Sequence, residues 1–382
     1  MHVNDLLAAA VEQGASDLHL KVGNYPLMRV DGELRTITEE KRLTPDDTAA
    51  MAAAIMSTAQ RERFEQALDI DLAYSVPGMG RFRCNVFHQR GSVGLVLRVI
   101  PVGVRKLAEL SVPRVLEKIA EERRGMVLVT GSTGSGKSTT LAALIDYINS
   151  TRHAHVITIE DPIEFLHRDE KSVINQRELD VDTHSFAHAL RSALRQDPDV
   201  ILVGEMRDLE TVETALTAAE TGHLVLSTLH TLDAPETINR IVSMFPVHQR
   251  RQVRLQLASV LKAVISQRLL PRADGHGRVP AVEVMVVSPF IRQCIVDRKK
   301  SRAIMEAIAN GTSQYGMQTF DQSIYQLYSD GLVTLEEALR WVSNADEFNL
   351  RIQGIATVSA ATRDQMASSV RQQDAEITRF GR

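Results

Sequence analysis

Cysteine is nearly missing from this 382-residue chain; the two present, Cys84 and Cys294, lie far apart and in no metal-ligand spacing. That excludes a disulfide framework and a thiolate zinc site within one chain, and a reducing cytoplasm suits both thiols. Aromatic residues make up 4% of the chain and tryptophan occurs once, so no stacking platform for single-stranded nucleic acid stands out. Positive charge is not in surplus either. The formal net charge is −4 and the sequence pI about 6.3, which leaves no general polycationic footprint for nucleic acid or anionic lipid. Two local basic clusters, Arg250, Arg251 and Arg254 and then Arg298, Lys299 and Lys300, read as solvated helix faces or subunit contacts. Long apolar runs are also lacking. Leu6 to Val11 is too short to span a membrane, follows Asp5, and lacks the basic start of a secretory signal. The chain is expected to stay inside the cell.

What is present is ordinary soluble composition, 44% hydrophobic and 24% charged, over a length sufficient for two or three domains. The first hundred residues mix short helical and extended patterns. LMRVDGELR, residues 27 to 35, reads as a tight hairpin around Asp31-Gly32. A helical pattern opens at Thr44-Pro45 and carries Met51, Ile55 and Met56, and RFRCNVFHQ and VGLVLRVI read as strands joined at Arg90 to Ser92. Residues 1–100 are therefore expected to form a small α/β domain, followed by a linker at 101–112 where the proline-bounded stretch PVGVRKLAELSVP breaks the pattern. From Gly125 the pattern becomes strand, helix, strand, with apolar strands at 126–130, 156–159, 200–203 and 224–228, which implies a parallel sheet covered by helices. PRADGHGRVP, residues 271 to 280, reads as a loop by composition, and FDQSIYQLYSDG and TLEEALRWV as short helices after it. The domain so defined runs over 113–352, and residues 353–382, rich in Ala, Ser, Gln and Arg, are expected to be a mobile tail.

The first strand of that sheet leads into GSTGSGKS, residues 131 to 138, which matches G-x-x-x-x-G-K-S between a strand and a helix. Gly131, Ser132, Thr133, Gly134, Ser135 and Gly136 turn backbone N–H groups onto an anion, and the helix that follows, with Thr139 in its first turn, adds its dipole. Lys137 can bridge the β- and γ-phosphates, and the Ser138 hydroxyl can enter a magnesium shell otherwise made of phosphate oxygens and water. ATP and Mg2+ are the implied ligands.

Chemistry in an open parallel sheet gathers beyond the carboxyl ends of its strands. The second strand ends in Glu160 and Asp161, with Glu164 one helical turn on; the third delivers Glu205; the fourth starts after His223 and ends at His230. Glu205 stands where a P-loop enzyme keeps an acid that activates water, although a carboxylate there could also pair with Arg207. Asp would ordinarily organise magnesium from the position before it, and here that residue is Gly204, so metal contact rests more on Ser138. His230 could read the γ-phosphate or be a satisfied strand-end histidine. In the small domain Arg81 and Arg83 share one strand face and Arg98 lies on the next strand; which face Arg98 takes depends on the turn register.

Together these residues resemble the retraction ATPases of type IV pili, the PilT/PilU group within the secretion ATPase superfamily. The resemblance covers the chain to about residue 352 and is carried by GASDLHL at 14 to 20, GRFRCNVFHQR at 80 to 90, TGSTGSGKSTTLAALID at 130 to 146, ITIEDPIEFLH at 157 to 167, RQDPDVILVGEMRDLETVETALTAAETGHLVLSTLHT at 195 to 231, and GMQTFDQ at 316 to 322. It implies an N-terminal PAS-like domain, a RecA-like P-loop ATPase domain with C-terminal helices, and a homohexameric ring. It also implies that Glu205 is the catalytic acid, that Glu164 belongs to the Asp-box segment and His223 and His230 to the His-box segment, and that Arg83 and Arg98 sense the γ-phosphate. The partners implied are the inner-membrane pilus platform, with the motor peripheral to that membrane, and a paralogous retraction ATPase. One segment departs: where the group commonly carries AIRNLIRE, this chain has FIRQCIVD at 290 to 297, and Val296 replaces the second arginine.

An assembly or secretion ATPase of the same superfamily is the near alternative, but such proteins commonly carry a four-cysteine zinc insertion and an extra N-terminal domain for which this chain has neither the cysteines nor the room. A RecA-like motor translocating nucleic acid is the more distant one, and the acidic balance and scarce aromatics speak against it.

Overall fold

The computed structural model describes residues 2–30, 32–37, 41–100 and 103–353, so the expectation of a mobile tail over 353–382 falls almost wholly outside the described residues. Two compact units emerge. Met1–Val104 with Pro162–His167 form the first, and Arg105–Asp161 with the chain from Arg168 onward form the second.

The first unit is an antiparallel sheet of β1 (Asp17–Leu20), β2 (Leu27–Val30), β3 (Glu33–Thr36), β4 (Asp69–Val76), β5 (Gly80–Gln89) and β6 (Ser92–Ile100), in the order β3-β2-β1-β6-β5-β4. The turn between β5 and β6 is set by positive φ at Arg90 (52°) and Gly91 (76°), the conformation that matches the twist of a tight hairpin. Phe82, Cys84 and Val86 alternate inward from β5, and Leu95 and Leu97 from β6, onto a core shared with the helix Val3–Glu12. The helical stretch after Thr44 is two helices, Pro45–Ile55 and Thr58–Ala67. The break has a cause: Ser57 and Gln60 form a reciprocal capping box that starts a new helix, each satisfying the other's backbone N–H.

The second unit is built on β7 (Gly125–Thr130), β8 (His155–Glu160), β9 (Val173–Glu178), β10 (Val200–Val203), β11 (Leu224–Leu229), β12 (Leu261–Pro271) and β13 (Arg278–Val286), ordered β13-β12-β7-β11-β10-β8-β9. All neighbours are parallel except β12 and β13, which form an antiparallel hairpin. The four expected strands are there. Strands β9, β12 and β13 were not expected; the loop read in PRADGHGRVP is there at 272–277, as the tip of the last hairpin, with Pro271 and residues 278–280 in its strands. β7, β10 and β11 are buried at every position, as strands covered on both faces must be. Helices Lys137–Thr151, Phe186–Ala193, Leu209–Glu220, Ala234–Met244 and Arg250–Val260 flank the sheet, and a satellite core around Phe320, Ile324 and Phe348 holds the helices Phe320–Ser329, Leu335–Trp341 and Ala345–Ile352. Among the described residues no helix is long and apolar enough to cross a membrane.

Candidate functional site

Strand order decides what meets. β7, β11, β10 and β8 are consecutive neighbours running the same way, so the segments leaving their carboxyl ends line one edge of the sheet at a spacing of about 4.8 Å per strand. These are the loop 131–136, His230, Gly204 with Glu205, and Glu160.

The loop is a glycine-shaped cradle. Gly131 (φ 140°), Gly134 (78°) and Gly136 (90°) all occupy the region that side chains disfavour. At Gly131 a Cβ would stand 2.4 Å from the Gln267 carbonyl oxygen and 2.6 Å from Ser135 Oγ, so the loop passes flush against β12 and admits no substituent. Lys137, 8% exposed, donates from Nζ to the carbonyls of Gly131 (3.0 Å) and Ser132 (2.9 Å), which holds the ammonium inside the loop's curve. Ser135 Oγ is buried and makes no hydrogen bond with protein atoms, a polar group turned into the cradle that an anion's oxygen can satisfy. Ser138 and Thr139, in the first turn of the helix Lys137–Thr151, remain partly accessible. These residues fit a nucleotide phosphate, with Ser138 the hydroxyl available to Mg2+; among the described residues no cluster of three or more His, Cys, Asp or Glu side chains could hold a metal alone.

Glu205 lies beside the loop edge with its carboxylate mostly buried, at 12% side-chain exposure. It takes two partners. Arg207 Nε is 2.6 Å from Oε1, and His230 Nε2 is 3.5 Å from Oε2. The pairing with Arg207 that the sequence left open is thus present, and His230 lies near the other carboxylate oxygen. The segment is held from β11, where Ser227 Oγ donates to the Val203 carbonyl and Thr228 Oγ1 to the Gly204 carbonyl, each at 2.7 Å. Gly204 itself packs tightly, since a Cβ there would meet the Ile159 carbonyl at 3.1 Å and Glu160 Cα at 3.4 Å. An aspartate at that position would require its neighbours to give way by a few tenths of an ångström. The next carboxylate along the edge is Glu160, whose Oε1 accepts from Thr158 Oγ1 (2.6 Å) and Gln176 Nε2 (3.1 Å); β9, which supplies Gln176, carried no clear signal in the sequence.

Other expected site residues lie elsewhere. His223 is at the amino end of β11, about 20 Å of strand away from His230, and its Nδ1 contacts the Ala218 carbonyl (2.9 Å) and Thr221 Oγ1 (3.2 Å) at the end of the helix Leu209–Glu220. It is not gathered with the phosphate loop, because a parallel strand separates its two ends by its whole length. Glu164 is exposed in an irregular stretch, not one helical turn beyond a strand, and belongs to the segment Pro162–His167 of the first unit. Pro162 disfavours a helical residue before it, which removes the expected turn.

In the first unit the turn register left open by the sequence is settled: Arg83 and Arg98 are direct cross-strand partners and so share one face. Both are exposed. Arg98 is also opposite Asp17 on β1, and its Nε donates to Asp17 Oδ1 at 2.9 Å. Burial alone would raise the Asp17 pKa, but hydrogen bonds from Arg98 and Ser16 outweigh it and hold the carboxyl below its ordinary value.

The divergent segment 290–297 forms the helix Pro289–Val296, with Ile291, Cys294 and Ile295 in the core. Arg292, Gln293 and Val296 face outward, and Arg292 Nε donates to the Ala258 carbonyl at 3.0 Å. Val296 thus alters a surface and leaves the packing intact.

Residues 1–340 match the sequence pattern of the family described as "Type II/IV secretion system protein". The chain is 49% identical over 338 residues to the "Type IV pilus retractation ATPase PilT" of Pseudomonas aeruginosa, covering 88% of this chain and 97% of that one. It belongs to this family, in its pilus-retraction ATPase branch. "Type IV pilus ATPase PilU" of the same organism is 40% identical over 378 residues, 99% of this chain and 97% of that protein. The crystal structure of the pilus retraction motor PilT with bound ADP superposes with a TM-score of 0.84 at 48% identity, over 91% of this chain and 98% of the other. The two units are accordingly the N-terminal and RecA-like domains of this ATPase fold.

Proposed function

We propose that the chain is the motor of type IV pilus retraction, hydrolysing ATP in a homohexameric ring at the cytoplasmic face of the inner membrane and acting on the pilus platform there. The observation that carries this reading is the 49% identity over 338 residues with a retraction ATPase, 97% of whose length is covered. ATP sits with its phosphates in the loop 131–136, and Lys137 leaves the loop carbonyls to bridge the β- and γ-phosphates. Mg2+, when bound through Ser138, phosphate oxygens and water, neutralises charge on the phosphates. Glu205 orients a water and accepts its proton as the oxygen attacks the γ-phosphorus; the bond to the β,γ-bridging oxygen breaks and ADP and phosphate result. His230, at the edge of hydrogen-bond reach of Glu205, steers that carboxylate. Arg83 and Arg98, as the resemblance to retraction ATPases implies, supply positive charge to the γ-phosphoryl group, and Glu164 is a further acid assigned to catalysis on the same ground.

A second reading, an accessory motor of the PilU kind, is favoured by the PilU match running over 99% of the chain and by Val296. Imaging of labelled pili in a deletion strain tests direction: surface pili are kept or increased while shortening is lost. Loss of surface pili, restored by the intact gene and not caused by runaway retraction, would make the chain an assembly motor. Shortening that persists in the deletion but fails under load would favour the accessory role.

A further inference from the structure

Glu283 is a carboxylate with no solvent exposure in the middle of β13, among Ala281, Val282, Val284 and Met285. Its Oε1 accepts from the Ala234 N–H at 2.9 Å, the first peptide of the helix Ala234–Met244, which begins just after the His230 segment. The same oxygen lies 3.4 Å from Ser266 Oγ on β12. Ser266 is the register partner of Glu283 on one side and of Thr130 on the other, and Thr130 Oγ1 donates to Ser266 Oγ at 3.0 Å. Thr130 is the last residue before Gly131. Three side chains with no exposed surface therefore form a polar line through the sheet, from the root of the phosphate loop to the backbone that follows His230.

An apolar residue would fill this place at less cost, since a buried carboxylate loses its hydration and Glu283 Oε2 makes no hydrogen bond. What the carboxylate adds is a directional tie to two elements that must keep their relative geometry while ATP is hydrolysed. We propose that Glu283 is a positioning residue for ATP turnover, fixing the His230 segment to the phosphate loop through Ser266 and Thr130. The proposal rests on the reading of the loop, Glu205 and His230 as one hydrolytic site.

The charged groups acting on Glu283 are few. Burial pushes its carboxyl up to about 7, Asp233 adds to the rise, and the Ala234 N–H, the Ser266 hydroxyl and Arg268 oppose it. Its charged form is the better acceptor for the amide at a helix start, so the tie tightens as pH rises through that value.

The test uses the full chain and reads nucleotide affinity and kcat separately. Glu283→Ala should lower kcat roughly 10- to 100-fold, the scale of a small misplacement of a reacting group, with ATP affinity unchanged. Glu283→Gln, which keeps the acceptor oxygen but cannot ionise, should match the parent's kcat near pH 6 and fall behind it towards about pH 8. Ser266→Ala should lose kcat and add little when combined with Glu283→Ala, as residues on one line do. An unchanged kcat in Glu283→Ala, an equal loss of ATP affinity, or full additivity with Ser266→Ala would overturn the proposal. If Glu283→Ala fails to fold, a pH-independent ratio of Glu283→Gln to parent overturns it alone. Glu205→Gln in the same assays separates this outcome from failure of the underlying site: if that variant turns over fully, the site reading fails, whatever Glu283 does.

Discussion

Arg83 and Arg98 stand directly opposite each other on adjacent antiparallel strands. Like charges in that register repel, and the sheet accepts the pair because both side chains reach solvent and Asp17, on the other side of Arg98, draws one guanidinium across. If the two arginines act on the γ-phosphoryl group, replacing either by alanine should cut phosphate release by about 10³-fold or more, the range seen for arginines in that role, and leave ATP binding largely intact. Asp17→Asn should give a smaller loss of the same kind by releasing Arg98. Full turnover in both arginine variants would return the pair to the status of surface residues.

Lys137 and Glu205 should separate binding from chemistry. Lys137→Ala removes the one ammonium held within the loop and should abolish nucleotide binding measured by fluorescence titration, whereas Glu205→Gln should bind ATP and hydrolyse it at least about 100-fold more slowly.

The ion pair between Arg207 and Glu205 occupies one oxygen of the carboxylate that, in the proposed mechanism, receives the proton of the attacking water. Arg207 is exposed, at 72% of its side chain, so its removal should not disturb packing. Arg207→Ala is expected to keep or raise basal ATPase activity by a few-fold. A loss comparable to that of Glu205→Gln would instead mean that the guanidinium acts on the phosphates.

The two histidines should behave differently. His230→Ala is expected to depress kcat, and His223→Ala, at the far end of β11, to leave the chemical step of a fully assembled enzyme near the parent value. Single-turnover hydrolysis with bound ATP reads that step directly; equal losses in both variants would contradict the placement.

Glu283 also predicts a pH-dependent stability. Unfolded, its carboxyl titrates at the ordinary 4.5; folded, at about 7, so the folded state binds more protons between those values. Its stabilising contribution is complete below about 4.5 and is lost as pH rises through about 7, by about 3 kcal/mol in all. Glu283→Gln should therefore melt higher than the parent at about pH 8, with the difference shrinking towards about pH 5. A melting-temperature difference that does not change with pH would refute the assignment.

Much of the site could be read in the sequence because its parts are local: a loop whose glycines and lysine are contiguous, and an acid and a histidine each terminating an apolar strand. What escaped was non-local. β12 continues from the helix Arg250–Val260 with no glycine or proline between them, and LKAVISQRLL suits either state when taken alone. Glu283 is the single charge in the apolar run AVEVMVV, and its partners, Ser266 and the amide of Ala234, follow only from β13 lying beside β12 and the helix at Ala234. Arg207 was named as a possible partner of Glu205, but the simultaneous reach of His230 follows from β10 and β11 being neighbours, which no single segment encodes.

Cys84 and Cys294 are both free and both without exposed surface, and burial pushes the Cys84 thiol up to about 12. To a thiol-reactive dye the folded chain is therefore almost silent. A cysteine introduced at Val247, which is 77% exposed, would be the dominant point of attachment without removing either native residue. Motions of the chain can then be followed by fluorescence in a protein that keeps its natural core.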